Sequence, residues 1–417
     1  MGRTGWMIAA TTLAAGCIGG SKDDGGDSAP ADGSVDADTD SDTDSDTDSD
    51  SDTDTDTDSD ADADSDADAD SDADTDTGAT DPGADLDGDG VVAADDCDDT
   101  DPNVHPGLPE ACDGVDTDCD PATSEDGIVT ADGVAYASIA DAVLHASIGG
   151  EVTVCAGVYP GDVTIDHAVR VVGVGSAAVT LLGDGGGPAL DIRADDVTVD
   201  GLTVTGGAPG VRIDGRAVVT LRNVAVADNA GAGLTLYASS AVTLEDVEIR
   251  DNVAPRGSGG GVSALYGDLT CTRCTLSDNY ADSGGGIYLF DSVGTFVDSH
   301  VDHNEGVQGG GLYATGLSEL TFTRGSITGN AVEREGGGLF VSAYASVIEL
   351  DGVAVTSNVA DFGGGLYVLS GTVEAVACDF GVGATENLPD DVGVSFGPSY
   401  GFYQANTTFV CTDESCL

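Results

Sequence analysis

Six asparagines set the frame of this chain. Asn229, Asn252, Asn279, Asn304, Asn330 and Asn358 recur every 23 to 28 residues, and five of them are followed by Gly-Gly-Gly runs beginning at 259, 284, 309, 336 and 363. Counting back from each Asn exposes two apolar columns. Eight residues earlier stand Leu221, Leu244, Cys271, Phe296, Phe322 and Leu350; three residues earlier stand Val226, Ile249, Leu276, Val301, Ile327 and Val355. A unit this short cannot bury its apolar face alone, but it can do so by stacking on the next unit in constant register.

Leucine-rich repeats would need an L-x-x-L-x-L-x-x-N frame, whereas these units read as three short β stretches without a helix. The expectation is an all-β chain, a right-handed parallel β-helix over residues 127–400. Its Asn column stacks amides coil on coil, and its Gly runs allow positive φ and close approach. Residues 150–400 supply about ten coils, a rod about 45–50 Å long at the spacing of paired strands. After residue 380 the pattern decays: Gly383 stands where the next Asn is expected, and residues 401–417 read as a cover for the last coil. Only two Met and 5% aromatic residues argue against a helical core packed by long apolar side chains.

The segment YASIADAVLHA followed by EVTVCAGVYPGDVTI resembles the opening of secreted β-helix proteins of the pectate-lyase-like superfamily. That resemblance implies an N-terminal helix capping the first coil and leaves His145 as a surface residue of that helix. The Gly-rich repeats also resemble those of polymorphic outer-membrane proteins, although the FxxN element of that family is not reproduced.

Tyr288, Tyr313, Phe340 and Tyr367 each follow an apolar residue just after a Gly run. Alternation along a strand turns them outward as one stripe, which either binds sugar rings or a protein partner or stacks upon itself to shield the sheet. Six residues before the Asn positions, Asp246, Arg273, Asp298 and Arg324 alternate in charge and read as an ion-pair ladder. His300 and His303 beside Asp298 and Asp302 form the densest ionisable group, without the spacing of a metal site. Cys271 and Cys274 fit buried thiols in apolar columns better than a redox pair, and Cys378 falls in the column of Cys274.

At the other end of the chain, MGRTGWMIAATTLAAGC resembles a bacterial lipoprotein signal. The resemblance implies cleavage after residue 16, lipidation of Cys17, and an envelope, outer-membrane or cell-surface location with membrane attachment through the lipid. From 36 to 76 every even-numbered residue is Asp, 21 carboxylates in 41 residues without a Lys or Arg. Such a tract buries nothing and repels itself, so residues 17–84 read as a disordered, extended tether of about 135 Å contour across the repeat. It resembles the Ser-Asp stalks of bacterial surface adhesins. With 12 Lys+Arg against 77 Asp+Glu, net charge −65, the chain is no nucleic-acid binder.

Residues 85–126 form a small Asp/Cys-rich module. DLDGDGVVAADD places Asp85, Asp87, Asp89 and Asp96 at positions 1, 3, 5 and 12 of a calcium loop, with Gly90 at the turn and the Val91 carbonyl as a further ligand. The following DCDDTDPNVHPGLPEACDGVDTDCD resembles a metal-binding repeat of myxobacterial surface proteins, related to that of a methanotroph copper-binding protein. Oxygen ligation by Asp favours calcium, and His105 alone makes a poor copper site. Asp98, Asp99, Asp101, Asp113, Asp116, Asp118 and Asp120 are candidates for additional cation contacts. Beyond Cys17 nine cysteines remain, so one at least is unpaired. Cys97, Cys112 and Cys119 are only three, which makes a bridge from the module to Cys155 reasonable, and Cys411 and Cys416 suit a terminal loop.

Two functions follow. One is a lipid-anchored surface protein whose calcium-supported β-helix serves a structural or a carbohydrate- or protein-binding role. The other is an extracellular polysaccharide lyase or glycoside hydrolase on the same fold, which would need several acids and an Arg gathered in one groove.

Overall fold

A computed structural model describes residues 83–108, 112, 115–120, 127–394 and 407–411. The signal segment, Cys17, the acidic tract, Asp113 and Cys416 lie outside the described residues.

The head opens with a hairpin, Val129–Ala131 against Val134–Tyr136, whose first strand also pairs antiparallel with Gly150–Val154. The helix Ile139–His145 follows, its first turn capped by the Ser138 hydroxyl, which accepts from the Asp141 N–H. Ile139, Ala142 and Val143 are buried beneath it, while His145 is exposed and its ring stacks on Tyr136 at 5.4 Å.

From there every pairing is parallel. In one ladder Val152 faces Val171, Val171 faces Val199, and the register continues through Leu221, Leu244, Cys271, Phe296, Phe322, Leu350 and Ala375. A second ladder runs from Leu190 through Val211, Leu234, Val262, Ile287, Leu312, Leu339 and Leu366 to Val392. Further strands such as Ala225–Ala227 and Glu248–Arg250 close each turn, and Val253–Ser258, Tyr280–Ser283, Glu305–Gln308 and Ala331–Glu335 form a separate four-stranded sheet. The chain is a parallel β-helix of about nine turns, in line with the coil count that repeat length suggests. The strand Thr407–Cys411 lies parallel to Gly371–Ala375 as a last rung.

Two features fix the register. The chain turns through the left-handed region at a constant point, residues Asn223, Asp246, Arg273, Asp298, Arg324 and Gly352, with φ between 49° and 63°. At the Gly runs there is no space for a side chain: a Cβ on Gly286 would lie 2.6 Å from the Gly311 carbonyl. Here consecutive amides of one coil donate to consecutive carbonyls of the next, as Gly260 to Gly284 and Gly261 to Gly285, each at 3.0 Å.

The asparagines form the expected internal ladder and it is longer than the repeats imply. Asn229, Asn252, Asn279, Asn304, Asn330 and Asn358 are buried, and each Nδ2 donates to the Oδ1 of the next at 2.8–3.0 Å. The last rung is Asn387, which accepts from Asn358 Nδ2 at 2.9 Å, not Gly383. A short 3-10 turn, Gly383–Thr385, is inserted between the core residue Phe380 and the amide, which delays the Asn without losing its place in the stack.

A second correction concerns Cys271 and Cys274. Both are fully buried, but they form a disulfide, Cα to Cα 5.9 Å, and are not free thiols. Arg273 between them takes φ 55° and turns Cys274 back into the core that Cys271 already occupies. Cys378 is the free thiol among the described residues, and burial pushes its titration up.

Candidate metal centre and aromatic face

The Asp loop closes through the Ala93 N–H donating to Ala84 O at 2.8 Å. Within it every other residue is an acceptor for a nearby amide. Asp85 Oδ1 and Oδ2 accept from Gly88 and Gly90, Asp87 Oδ1 from Asp89, and Asp89 Oδ1 from Val91 at 2.7 Å. Gly88 and Gly90 make the turns at φ 82° and 102°. At the last position of the loop Asp96 Oδ1 accepts from the Asp98 N–H, and beyond it Asp99 Oδ1 accepts from the Leu86 N–H at 3.1 Å.

Each of four carboxylates thus spends one oxygen on the backbone and keeps one. Those remaining atoms, Oδ2 of Asp87, Asp89, Asp96 and Asp99, are buried and have no hydrogen-bond partner. Ligand oxygens of Asp87, Asp89 and Asp96 lie within 4.8 Å of one another, as do those of Asp85, Asp87 and Asp99. Buried carboxylate oxygens facing each other without a counter-charge are costly, and a cation between them removes the cost. Partial burial, then the neighbouring charges of Asp89, Asp96 and Asp85, push the Asp87 carboxyl up against the opposing hydrogen bond from the Asp89 amide.

The donor set is oxygen only, the preference of a hard cation. The Cys97–Cys119 disulfide beside Asp96 removes thiolate from the choice, and the single imidazole nearby, His105, stands 3.7 Å from Asp89 Oδ2 through Nε2. Val91 is half-buried in the same loop. Asp99 joins the loop carboxylates, whereas Asp98 and Asp101 hold their own turns through Thr100 and Asn103. Asp116, Asp118 and Asp120 also fall outside the grouping. The Cys112–Cys155 disulfide fastens the module to the first coil, as the cysteine count suggests.

On the head, Tyr288, Tyr313, Phe340 and Tyr367 stand in register on successive coils. Their centroids are 5.3, 4.6 and 5.6 Å apart and no pair is tilted by more than 9°. Phe340 is 3% exposed and the tyrosines are half-buried. Burial pushes the Tyr288 and Tyr313 phenols up. The rings stack on one another, so the inner two, Tyr313 and Phe340, have both faces covered.

The alternating column pairs as its sequence suggests: Arg273 holds Asp246 and Arg324 holds Asp298, each through two hydrogen bonds of 2.7–2.9 Å. Repeat counting misses Asp191, which lies in the less regular early coils. It is buried between Arg212, whose Nε donates at 2.9 Å, and Arg193. Burial alone would raise its carboxyl, but the two guanidinium groups hold it below the usual range. Asp302 accepts from Ser326, whose hydroxyl is 2.9 Å from His300 Nδ1, and with His303 exposed these residues form no metal grouping among the described residues.

Two family models match this architecture. Residues 188–378 match the one described as "Right handed beta helix region", so the fold is a right-handed parallel β-helix. Residues 96–125 match the one described as "Putative metal-binding motif", which includes Asp96 and Asp99 but stops short of the other loop carboxylates. No curated protein matches. Among solved structures, ORF18 of Geobacillus virus E2 is 11% identical over 70% of this chain with TM-score 0.26. The chain covers 60% of that protein's length.

Proposed function

We propose that this chain is a lipid-anchored cell-surface protein in which a calcium-loaded module joins an acidic tether to a β-helix head, and that the head binds carbohydrate or protein. The observation that carries the reading is the set of buried, unpartnered carboxylate oxygens of Asp87, Asp89, Asp96 and Asp99. A divalent cation with flexible oxygen coordination satisfies them, and calcium accepts six to eight such ligands. Asp85, Asp87, Asp89, Asp96 and Asp99 would hold it, and its effect would be to rigidify the junction that Cys112–Cys155 already ties. Attachment at Cys17 and the location at the cell surface rest on the N-terminal sequence alone.

Binding is preferred to catalysis because the exposed acids and arginines of the repeats neutralise one another pairwise, Asp246 with Arg273 and Asp298 with Arg324. Calorimetric titration of the full chain tests the metal reading. Calcium is expected to bind saturably with Kd on the order of 10⁻⁴ M, the range of extracellular sites. Asp89→Asn, which keeps the backbone bond and loses the charge, should weaken it about tenfold or more. Equal calcium binding by the variant, or tighter copper(II) than calcium binding by the parent, defeats the proposal.

A further inference from the structure

The ring stack ends abruptly. In the coil before Tyr288 the in-register residue is Ser263, and in the coil before that it is Thr235. Two successive positions of the column therefore carry hydroxyls where the following four carry rings. At this point the surface opens into a groove of about 570 Å³. Ser263 and Thr235, each 5% exposed, form its floor, Tyr288 bounds it at the end of the stack, and Phe290 and Tyr266 flank it. Tyr288 stacks on Tyr313 on one side and has no ring on the other among the described residues. Tyr266 packs edge-on against Phe290 at 5.2 Å and is 54% exposed.

Tyr266 is itself unusual. It occupies a left-handed corner at φ 63°, where the next coils place Asp291 and Gly316. A bulky residue is disfavoured there, and such outliers concentrate where a surface acts on a ligand. No lining side chain among the described residues carries a charge, and hydroxyls of Ser, Thr and Tyr alternate with ring surface.

We propose that this groove is a subsite for a neutral sugar ring, which continues the aromatic stack by lying against Tyr288 on the side that carries no ring, above Ser263. The apolar C–H face of a pyranose meets the tyrosine ring, and its hydroxyls exchange hydrogen bonds with Ser263, Thr235 and Ser258. Coil spacing of about 4.8 Å leaves room for one ring over Ser263. A flat hydrocarbon ring would leave the groove's hydroxyls unpaired. A uronate would find no cation in the lining, since Arg212, the next residue of the column beyond Thr235, is held by Asp191, and it would be repelled by a chain of net charge −65. The inference rests on the reading of the head as a binding surface and narrows it to one place and one class.

The test is calorimetry on the full chain with neutral gluco-, manno- and galacto-configured hexasaccharides and with a galacturonate hexasaccharide. One neutral oligosaccharide is expected to bind. Ser263→Tyr adds a fifth ring to the stack and fills the site; it should abolish binding while the melting temperature stays the same or rises. Tyr266→Ala, which removes an exposed side chain, should weaken binding about tenfold and supplies the answer if Ser263→Tyr fails to fold. Tyr367→Ala, at the far end of the stack, reports on a ligand seated on the stripe, while Leu317→Ala, at an exposed residue outside the column, should bind as the parent does. Binding that survives both groove variants but is lost in Tyr367→Ala places the ligand on the stripe, which overturns the subsite and spares the broader reading. Preference for the galacturonate overturns the neutral class, and no binding of any probe overturns the subsite and the glycan reading together.

Discussion

Replacing Asn304 by Leu isolates what the amide ladder contributes. Asn304 Oδ1 accepts from the Asn279 N–H at 3.1 Å and from Asn279 Nδ2 at 3.0 Å, while its own Nδ2 donates to Leu276 O at 2.9 Å and Asn330 Oδ1 at 3.0 Å. Leu is nearly isosteric and apolar, so the change leaves the Asn279 backbone N–H and one of its amide hydrogens without acceptors in a fully buried place. Asn330 Oδ1 is not orphaned, because the Asn304 N–H still reaches it at 2.9 Å. Two buried donors at about 1–3 kcal/mol each, offset by about 1–2 kcal/mol of better apolar transfer, give a net loss of about 3 kcal/mol. Urea titration followed by circular dichroism should show a lower midpoint with little change in slope. The double variant Asn304→Leu/Asn330→Leu should cost less than the sum of the singles, since the two share one hydrogen bond. An Asn304→Leu midpoint equal to the parent's refutes the account of the ladder as the polar spine of the core.

Other outcomes are equally specific. Tyr313→Ala removes two ring contacts and should cost about 2–4 kcal/mol in the same titration, with Tyr367→Ala, which removes one, costing less; equal costs would mean the stacking adds nothing. Because its carboxyl titrates below the unfolded value of 3.8, Asp191 adds stability that is present above about pH 4 and lost as pH falls through its lowered value. Asp191→Asn should therefore flatten the acid limb of a stability–pH profile, and an unchanged limb would contradict the Arg212 and Arg193 pairing. Cys17→Ser should abolish incorporation of an alkyne-tagged fatty acid in growing cells, while labelling that persists would remove the lipid anchor.

The coils were legible because a β-helix requires the same residue type at the same point of each turn. The columns at Leu244 and Ile249 and the amides at Asn252 follow from position alone. Asn387 escaped because the Gly383–Thr385 turn changes the spacing but not the spatial register. The calcium-loop spacing exposed Asp85, Asp87, Asp89 and Asp96, whereas the place of Asp99 depends on a contact with Leu86 that no spacing encodes. The Cys271–Cys274 pair was hidden because one left-handed residue, Arg273, aims both side chains the same way. The groove was invisible for a different reason: what defines it is the lack of a ring at Ser263 and Thr235, and a search for recurring residues passes over the places where the recurrence stops.

The asparagine column has a direction. Gly207 N–H donates to Asn229 Oδ1, each amide donates onward, and Asn387 Nδ2 ends on the Asp391 carboxylate at 2.9 Å. The seven amide dipoles therefore point the same way along the rod, as peptide dipoles do along an α-helix, and a negative charge sits at the positive end where it is favoured. The two ends of the column are chemically unlike, an amide oxygen that accepts from the Gly207 N–H at one and an amide nitrogen that donates to an acid at the other. A further asparagine stacked on Asn387 would have to displace the Asp391 carboxylate before its own amide could join the column.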